Sequence, residues 1–136
     1  MGVVYYANYF VWFEVGRTDL LRDAGWSYRE MEGQGIRLPV IEARCEYRRS
    51  AQYDDELEIH TTGVLRSPVR VEFAYEVIRP IDAILIATGR TIHASLDRSG
   101  RPHRLPLGIG QLLARAPGKR ANRGQVGRVG QVGHKA

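Results

Sequence analysis

Apolar positions in residues 7–24 fall at Tyr9, Phe13, Gly16 and Leu20, an i, i+4, i+7, i+11 spacing that predicts one stripe of a helix. Phe10, Arg17 and Leu21 lie beside that stripe. The run Tyr9–Phe13 is apolar on nearly every side, as in a helix covered by its surroundings. Arg17, Asp19, Arg22 and Asp23 make the second half polar, so it should emerge toward solvent. Gly25 is placed to end the helix in the left-handed conformation.

Beyond a loop with Gly33 and Gly35 the period changes to two. Ile41, Ala43, Cys45 and Tyr47 alternate with Glu42, Arg44, Glu46 and Arg48. A turn at 51–55 leads to Leu57, Ile59 and Thr61, set against Glu56, Glu58 and His60. A second turn at Arg66-Ser67-Pro68 leads to Val69, Val71, Phe73, Tyr75 and Val77, opposed by Arg70, Glu72 and Glu76. Residues 84–97 predict a fourth strand whose weaker alternation suits an inner or dimer-facing position. Asp97-Arg98-Ser99-Gly100 is turn chemistry, and a short helix is expected at Ile109–Arg115. One buried helix followed by an antiparallel meander gives an α+β class.

Length and composition narrow this further. A chain of 136 residues has the length of one domain with its own core. The apolar stretches are too short to cross a bilayer, and no basic segment precedes an apolar one at the start. Cys45 is the only cysteine, so neither an internal disulfide nor a cysteine-rich zinc site is available. A cytoplasmic location is the expectation.

The net charge of +5 is unevenly spread. Residues 116–136 hold five of the 20 basic residues (Lys119, Arg120, Arg123, Arg128, Lys135) and none of the 15 acidic ones, so residues 1–115 balance at 15 of each. That division gives a domain at 1–115 and a basic, glycine-rich tail at 116–136. The tail repeats Gly-Gln-Val-Gly at 124–127 and 130–133. It has too little apolar surface to offset ordering entropy and is expected to be disordered. A cationic tail can touch nucleic acid or acidic surfaces without specificity. It is a weak basis for a nucleic-acid function.

Three segments carry a resemblance: GVVYYANYFVWFEVGRTDLL, EARCEYRRSAQYDDELEIHT and ATGRTIHASLDRSGRPHRLP. Together they resemble the 4-hydroxybenzoyl-CoA thioesterase family, which includes acyl-CoA thioesterases associated with the Tol-Pal system. The likeness extends over residues 2–107. It implies a hotdog fold, a curved antiparallel sheet wrapped around a long central helix. It also implies a homodimer or homotetramer with active sites at the interface, an acyl-CoA substrate, and neither metal nor cofactor. Gly2, Val3, Val4, Tyr5, Tyr6, Ala7, Asn8 and Tyr9 match the family's first motif. In the family an Asp stands three residues before the Gly, which here falls ahead of Met1, as does the first strand. This chain is therefore expected to start inside the motif, without that acid and with a bare sheet edge.

Thioester hydrolysis needs a carboxylate to attack the carbonyl or activate water, and donors for the developing oxyanion. By the resemblance the Tyr6 backbone N–H is the oxyanion donor. Unsatisfied amides at a helix N-terminus suit that task, and one such donor is worth about 3 kcal/mol. Gly2, Val3, Val4, Tyr5 and Asn8 are the expected substrate-binding neighbours, Asn8 equally serving as a plain helix cap. Relatives often carry His at position 6; Tyr6 cannot shuttle protons in its place at neutral pH. Glu14 is the chain's own candidate acid, although Arg17 at i+3 suggests an ion pair. Asp54 and Asp55 read as turn formers. Arg66 and Arg70, with Arg48 and Arg49, are candidates for the CoA phosphates, Arg66 foremost. Cys45 reads as a core residue rather than a nucleophile. His60 and His93 have no partner at metal or triad spacing. The leading function is an acyl-CoA thioesterase for aroyl or short- to medium-chain acyl groups. Its rival is a silent hotdog domain that binds acyl-CoA or serves assembly.

Overall fold

The computed structural model describes residues 8–52, 54–115 and 124–128. Helix α1 spans Asn8–Asp23 and the expected stripe is its inner face: Tyr9, Phe13, Gly16 and Leu20 are buried, with Trp12 and Leu21. Gly25 ends it at φ 94°. There the Trp26 amide donates to the Leu21 carbonyl at 2.8 Å and the Gly25 amide to the Arg22 carbonyl at 3.0 Å, satisfying carbonyls the helix leaves open.

Where a loop was expected, a second helix forms. Helix α2, Tyr28–Gly33, starts at a capping box in which the Ser27 side chain accepts from the Glu30 amide and Glu30 reaches back to the Ser27 backbone. Met31 buries its one apolar anchor.

Strands β1 (Val40–Tyr47), β2 (Glu56–Ser67), β3 (Arg70–Arg79) and β4 (Ile84–Ala94) follow, then α3 (Ile109–Arg115) and β5 (Gly124–Arg128). The sheet order is β1-β4-β3-β2-β5, and every pair is antiparallel. The alternation read from sequence decides the faces: Leu57, Ile59, Thr61, Val71, Phe73, Tyr75 and Val77 all point into the core. The sheet wraps α1, as a hotdog fold requires. Strand β4 is inner, between β1 and β3, and gives way after Ala94 to single bridges from Leu96 to Arg37 and Pro102. The Asp97 turn forms as expected, one carboxylate oxygen accepting from the Ser99 amide, the Ser99 hydroxyl and the Arg101 amide at 2.8–3.0 Å.

Two glycines set how closely helix and sheet meet. A Cβ at Gly16 would collide with Thr61 Oγ1 and come within 2.9 Å of Ile59; one at Gly89 would enter the Phe13 ring. A glycine inside a helix costs roughly 1 kcal/mol, and here it lets α1 lie flush on β2.

The edges depart from the sequence expectation. Strand β1 is exposed along its whole length except at half-buried Cys45, although alternation had suggested one buried face. Among the described residues it pairs with β4 alone. The edge at β2 carries β5, with Glu56 opposite Arg128, Glu58 opposite Gln125 and Ile59 opposite Gly124. β5 lies inside the segment 116–136; residues 116–123 and 129–136 are outside the described residues.

At one end of the sheet Arg79 grips two turns. Its guanidinium meets the Asp55 carboxylate at 2.9 Å and the Asp82 carboxylate at 2.9 Å. Asp55 also accepts from the Gln52 amide at 2.7 Å, the turn-forming role expected of it.

Candidate active site

An open cavity of about 800 Å³ lies where α1, α2 and the 96–100 turn converge. That lies within the usual range for small-molecule sites. Glu14 and Arg17 enter from α1 and Tyr28 and Glu32 from α2; Arg37 and Leu38 follow on the chain leading to β1. The turn adds Asp97 and Arg98.

The expected Glu14–Arg17 ion pair does not form. Arg17 Nε instead donates to the Tyr28 hydroxyl at 3.2 Å and Arg17 Nη1 to the Tyr75 hydroxyl at 3.5 Å. From Tyr75 a buried chain continues: its hydroxyl lies 2.6 Å from Thr91 Oγ1, which lies 2.9 Å from His93 Nε2, while His93 Nδ1 faces the Leu38 carbonyl at 3.0 Å.

Elementary bookkeeping of donors fixes the direction of that chain. A carbonyl only accepts, so His93 Nδ1 carries the proton. Burial, reinforced by the charge of Arg17, pushes the imidazole down to about 4 despite the Leu38 carbonyl, so the ring is neutral at pH 7 and Nε2 accepts. Thr91 must therefore donate to His93 and accept from Tyr75. Tyr75 donates to Thr91 and accepts from Arg17. Burial raises the Tyr75 and Tyr28 hydroxyls above their ordinary range, against the pull of Arg17, so both stay protonated. The chain runs one way, from a guanidinium on the cavity wall to a carbonyl on the same wall.

The candidates from sequence are dispersed. Gly2, Val3, Val4, Tyr5 and Tyr6 lie outside the described residues. Asn8 is buried as the first residue of α1, and its side-chain amide nitrogen has no acceptor among the described residues; Trp12 Nε1, one turn on, shares that condition. Glu14 is exposed on the cavity rim, without a cation within 4 Å among the described residues. Arg66 is engaged with Glu72 at 3.2 Å and Arg48 with Glu46 at 3.2 Å. Neither these two nor Arg70 and Arg49 line the cavity. Burial raises the Cys45 thiol, so the thiolate a nucleophile needs is disfavoured. His60 is held by Glu58 at 3.1 Å.

Sequence reasoning missed the cluster that the fold brings together: Arg17, Arg37 and Arg98 with Tyr28, and Tyr75, Thr91 and His93 behind them. One signal was available. Tyr75, Thr91 and His93 are polar residues at inward positions of their strands, where a buried group must find partners.

The model of the Thioesterase-like superfamily matches residues 1–119. YneP of Bacillus subtilis, provisionally named an acyl-CoA thioesterase, is 35% identical over 98 residues, covering 72% of this chain and 70% of that protein. The structure of a DHNA-CoA thioesterase from Staphylococcus aureus superposes with a TM-score of 0.71 at 35% identity, covering 77% of this chain and 70% of that one. A Thermus thermophilus protein of unassigned function superposes at 0.75 and 32% identity, covering 85% and 88%.

Proposed function

The chain belongs to the thioesterase-like superfamily and is a thioester hydrolase, and on that premise we propose that its substrate is an acyl-CoA with an aroyl or short- to medium-chain acyl group. The observation that carries this reading is the 35% identity, at a shared fold, to a DHNA-CoA thioesterase. The finer assignment, to the 4-hydroxybenzoyl-CoA and Tol-Pal-associated group, is supported by the string Gly2–Tyr9. In the reaction an oxygen nucleophile adds to the thioester carbonyl, the C–S bond breaks, and CoA leaves as a thiol with the free acid as co-product. No metal or cofactor enters this chemistry, so turnover should survive dialysis against a chelator. A cytoplasmic site of action fits a CoA thioester substrate.

The Tyr6 amide is the proposed oxyanion donor, with Gly2, Val3, Val4, Tyr5 and Asn8 around the substrate. Glu14, exposed on the cavity rim, is the acid among the described residues proposed to attack the carbonyl or activate water. Release of free CoA thiol from benzoyl-CoA and hexanoyl-CoA tests the reading, comparing the chain with its Glu14→Gln variant. Turnover that Glu14→Gln lowers by about two orders of magnitude supports both the substrate class and the acid. Turnover that the variant leaves unchanged overturns Glu14, and no release from either thioester overturns the acyl-CoA reading.

A homodimer is proposed through β1 and the outer face of α1. Phe10, Val11 and Val15 on the helix and Val40, Ile41 and Tyr47 on the strand are all large apolar residues left exposed. An edge without a partner strand among the described residues, beside an apolar stripe, is the surface a second copy would cover.

A further inference from the structure

We propose that the turn at residues 106–108 and the basic surface beside it dock reversibly on an anionic lipid surface, with Leu107 entering the headgroup layer and Arg70, Arg101 and Arg104 meeting the lipid phosphates. This goes beyond the acyl-CoA reading and does not depend on it.

The charge of the chain is divided more sharply than its tail alone shows. Residues 98–136 hold nine of the 20 basic residues and none of the 15 acidic ones, leaving 11 against 15 in residues 1–97. The fold brings the first of these charges to one end of the sheet. There the Leu105 amide donates to the Pro68 carbonyl at 2.9 Å, the Ser95 amide to the Val69 carbonyl at 2.8 Å and the His103 amide to the Ser95 carbonyl at 2.9 Å. Residues 101–105 are thereby tied to the β2–β3 turn, where Arg70 opens β3. Arg70, Arg101 and Arg104 are exposed, and among the described residues none has a carboxylate within 4 Å. The acids nearest to them in sequence are already engaged, Asp97 with its turn amides and Glu72 with Arg66 and Arg90.

Leu107 supplies the apolar half. It is 97% exposed, although Leu105 and Ile109 on either side are buried. Gly108, at φ 83°, permits the turn, and the Ile109 amide closes it on the Pro106 carbonyl at 3.2 Å. The leucine is thus held outward by anchors on both sides. An exposed apolar side chain alone is ordinary. Ile81 is 89% exposed as well, but its turn holds Asp82 ion-paired to Arg79. Leu107 instead protrudes beside cations that no carboxylate balances, the combination that interfacial binding uses.

A nucleic acid is the other polyanion such charge would attract. Single-stranded bases are held by stacking on aromatic rings, and no Phe, Tyr or Trp follows Tyr75 in the chain. The basic segment therefore lacks stacking platforms, whereas the apolar layer beneath lipid headgroups takes up a leucine.

Flotation of the full chain with phosphatidylcholine vesicles containing about 30% phosphatidylglycerol tests this, against vesicles of phosphatidylcholine alone. Binding to the anionic vesicles is expected, roughly tenfold or more tighter than to the neutral ones and falling steeply with salt. Arg101→Gln/Arg104→Gln should weaken it roughly tenfold, and Leu107→Ser roughly fivefold or more. All three side chains are exposed, so circular dichroism and thermal unfolding should match the wild type. In a Cys45→Ser background, Leu107→Cys carrying an environment-sensitive fluorophore should shift its emission to the blue on the anionic vesicles. No binding to those vesicles, equal binding to both kinds, or binding that either variant leaves unchanged overturns the site. Tighter binding to a single-stranded RNA, insensitive to Leu107→Ser, overturns the lipid assignment in favour of nucleic acid.

Discussion

Phe13 lies flat on Tyr75, their ring centroids 4.3 Å apart and their planes 8° from parallel. Tyr75 is also paired across the sheet with Gly89, the residue whose missing side chain makes room for the Phe13 ring. A helix residue, a strand residue and a gap in the next strand thus form one packing unit, with the buried polar chain on its far side.

Gly89→Ala should therefore destabilise the fold by about 2 kcal/mol or more, as overpacking does. Phe13→Ala should cost about 3–5 kcal/mol by leaving a cavity. Placed together, the two changes should cost clearly less than their sum, because the new methyl enters the space the ring vacates. Urea unfolding of the four proteins reads this out, and additive losses would sink it.

The direction of the hydrogen-bond chain ranks two conservative changes. Thr91→Val leaves the Tyr75 hydroxyl without an acceptor and His93 Nε2 without a donor, both buried, at roughly 2–4 kcal/mol. Tyr75→Phe deprives Arg17 of one long bond but leaves Thr91 donating to His93, at about 1 kcal/mol. Equal losses in thermal unfolding would contradict the assigned polarity.

His93 makes stability depend on pH. Its imidazole is held at about 4 in the folded chain, against an ordinary value of 6.5 when unfolded. Between those values the unfolded chain takes up a proton that the folded chain refuses. Its contribution is thus complete above pH 6.5, declines as pH falls toward 4, and amounts to roughly 3 kcal/mol. Urea midpoints measured from pH 7 to 4.5 should fall more steeply for the wild type than for His93→Gln. Parallel slopes would assign the dependence to other groups.

The exposed apolar set on α1 and β1 predicts self-association. Val15→Asp should convert a dimer into monomers by light scattering, with far-ultraviolet circular dichroism unchanged. A wild-type chain that is already monomeric at micromolar concentration would refute the proposed contact.

The core and its periodicity were legible in the sequence because burial writes itself into the alternation of side chains. Tyr9, Phe13 and Leu20 on the helix, and Val71, Phe73 and Val77 on β3, point where their spacing says. What escaped was of two kinds. Helix α2 has one buried anchor, Met31, and so no periodic signal; only the Ser27–Glu30 capping box marked it. Exposure of β1 depends on what lies beyond an edge, which a single strand's alternation does not encode. The arginine cluster was illegible for a third reason. Arg17, Arg37 and Arg98 belong to three different elements, and Arg17 looked committed to Glu14 by helical spacing until the fold offered it two phenols. Asp55 was read correctly as a turn former, but its bond to Arg79, 24 positions away, was beyond local pattern.

That bond has a mechanical consequence. A single guanidinium, held from two sides by Asp55 and Asp82, serves as the common fastening of the loops before β2 and after β3. Neither loop can open without loosening the other, so what local sequence presents as two independent turns fluctuates as one body. Arg79→Met should raise amide exchange in both loops together, and high salt should mimic it in part.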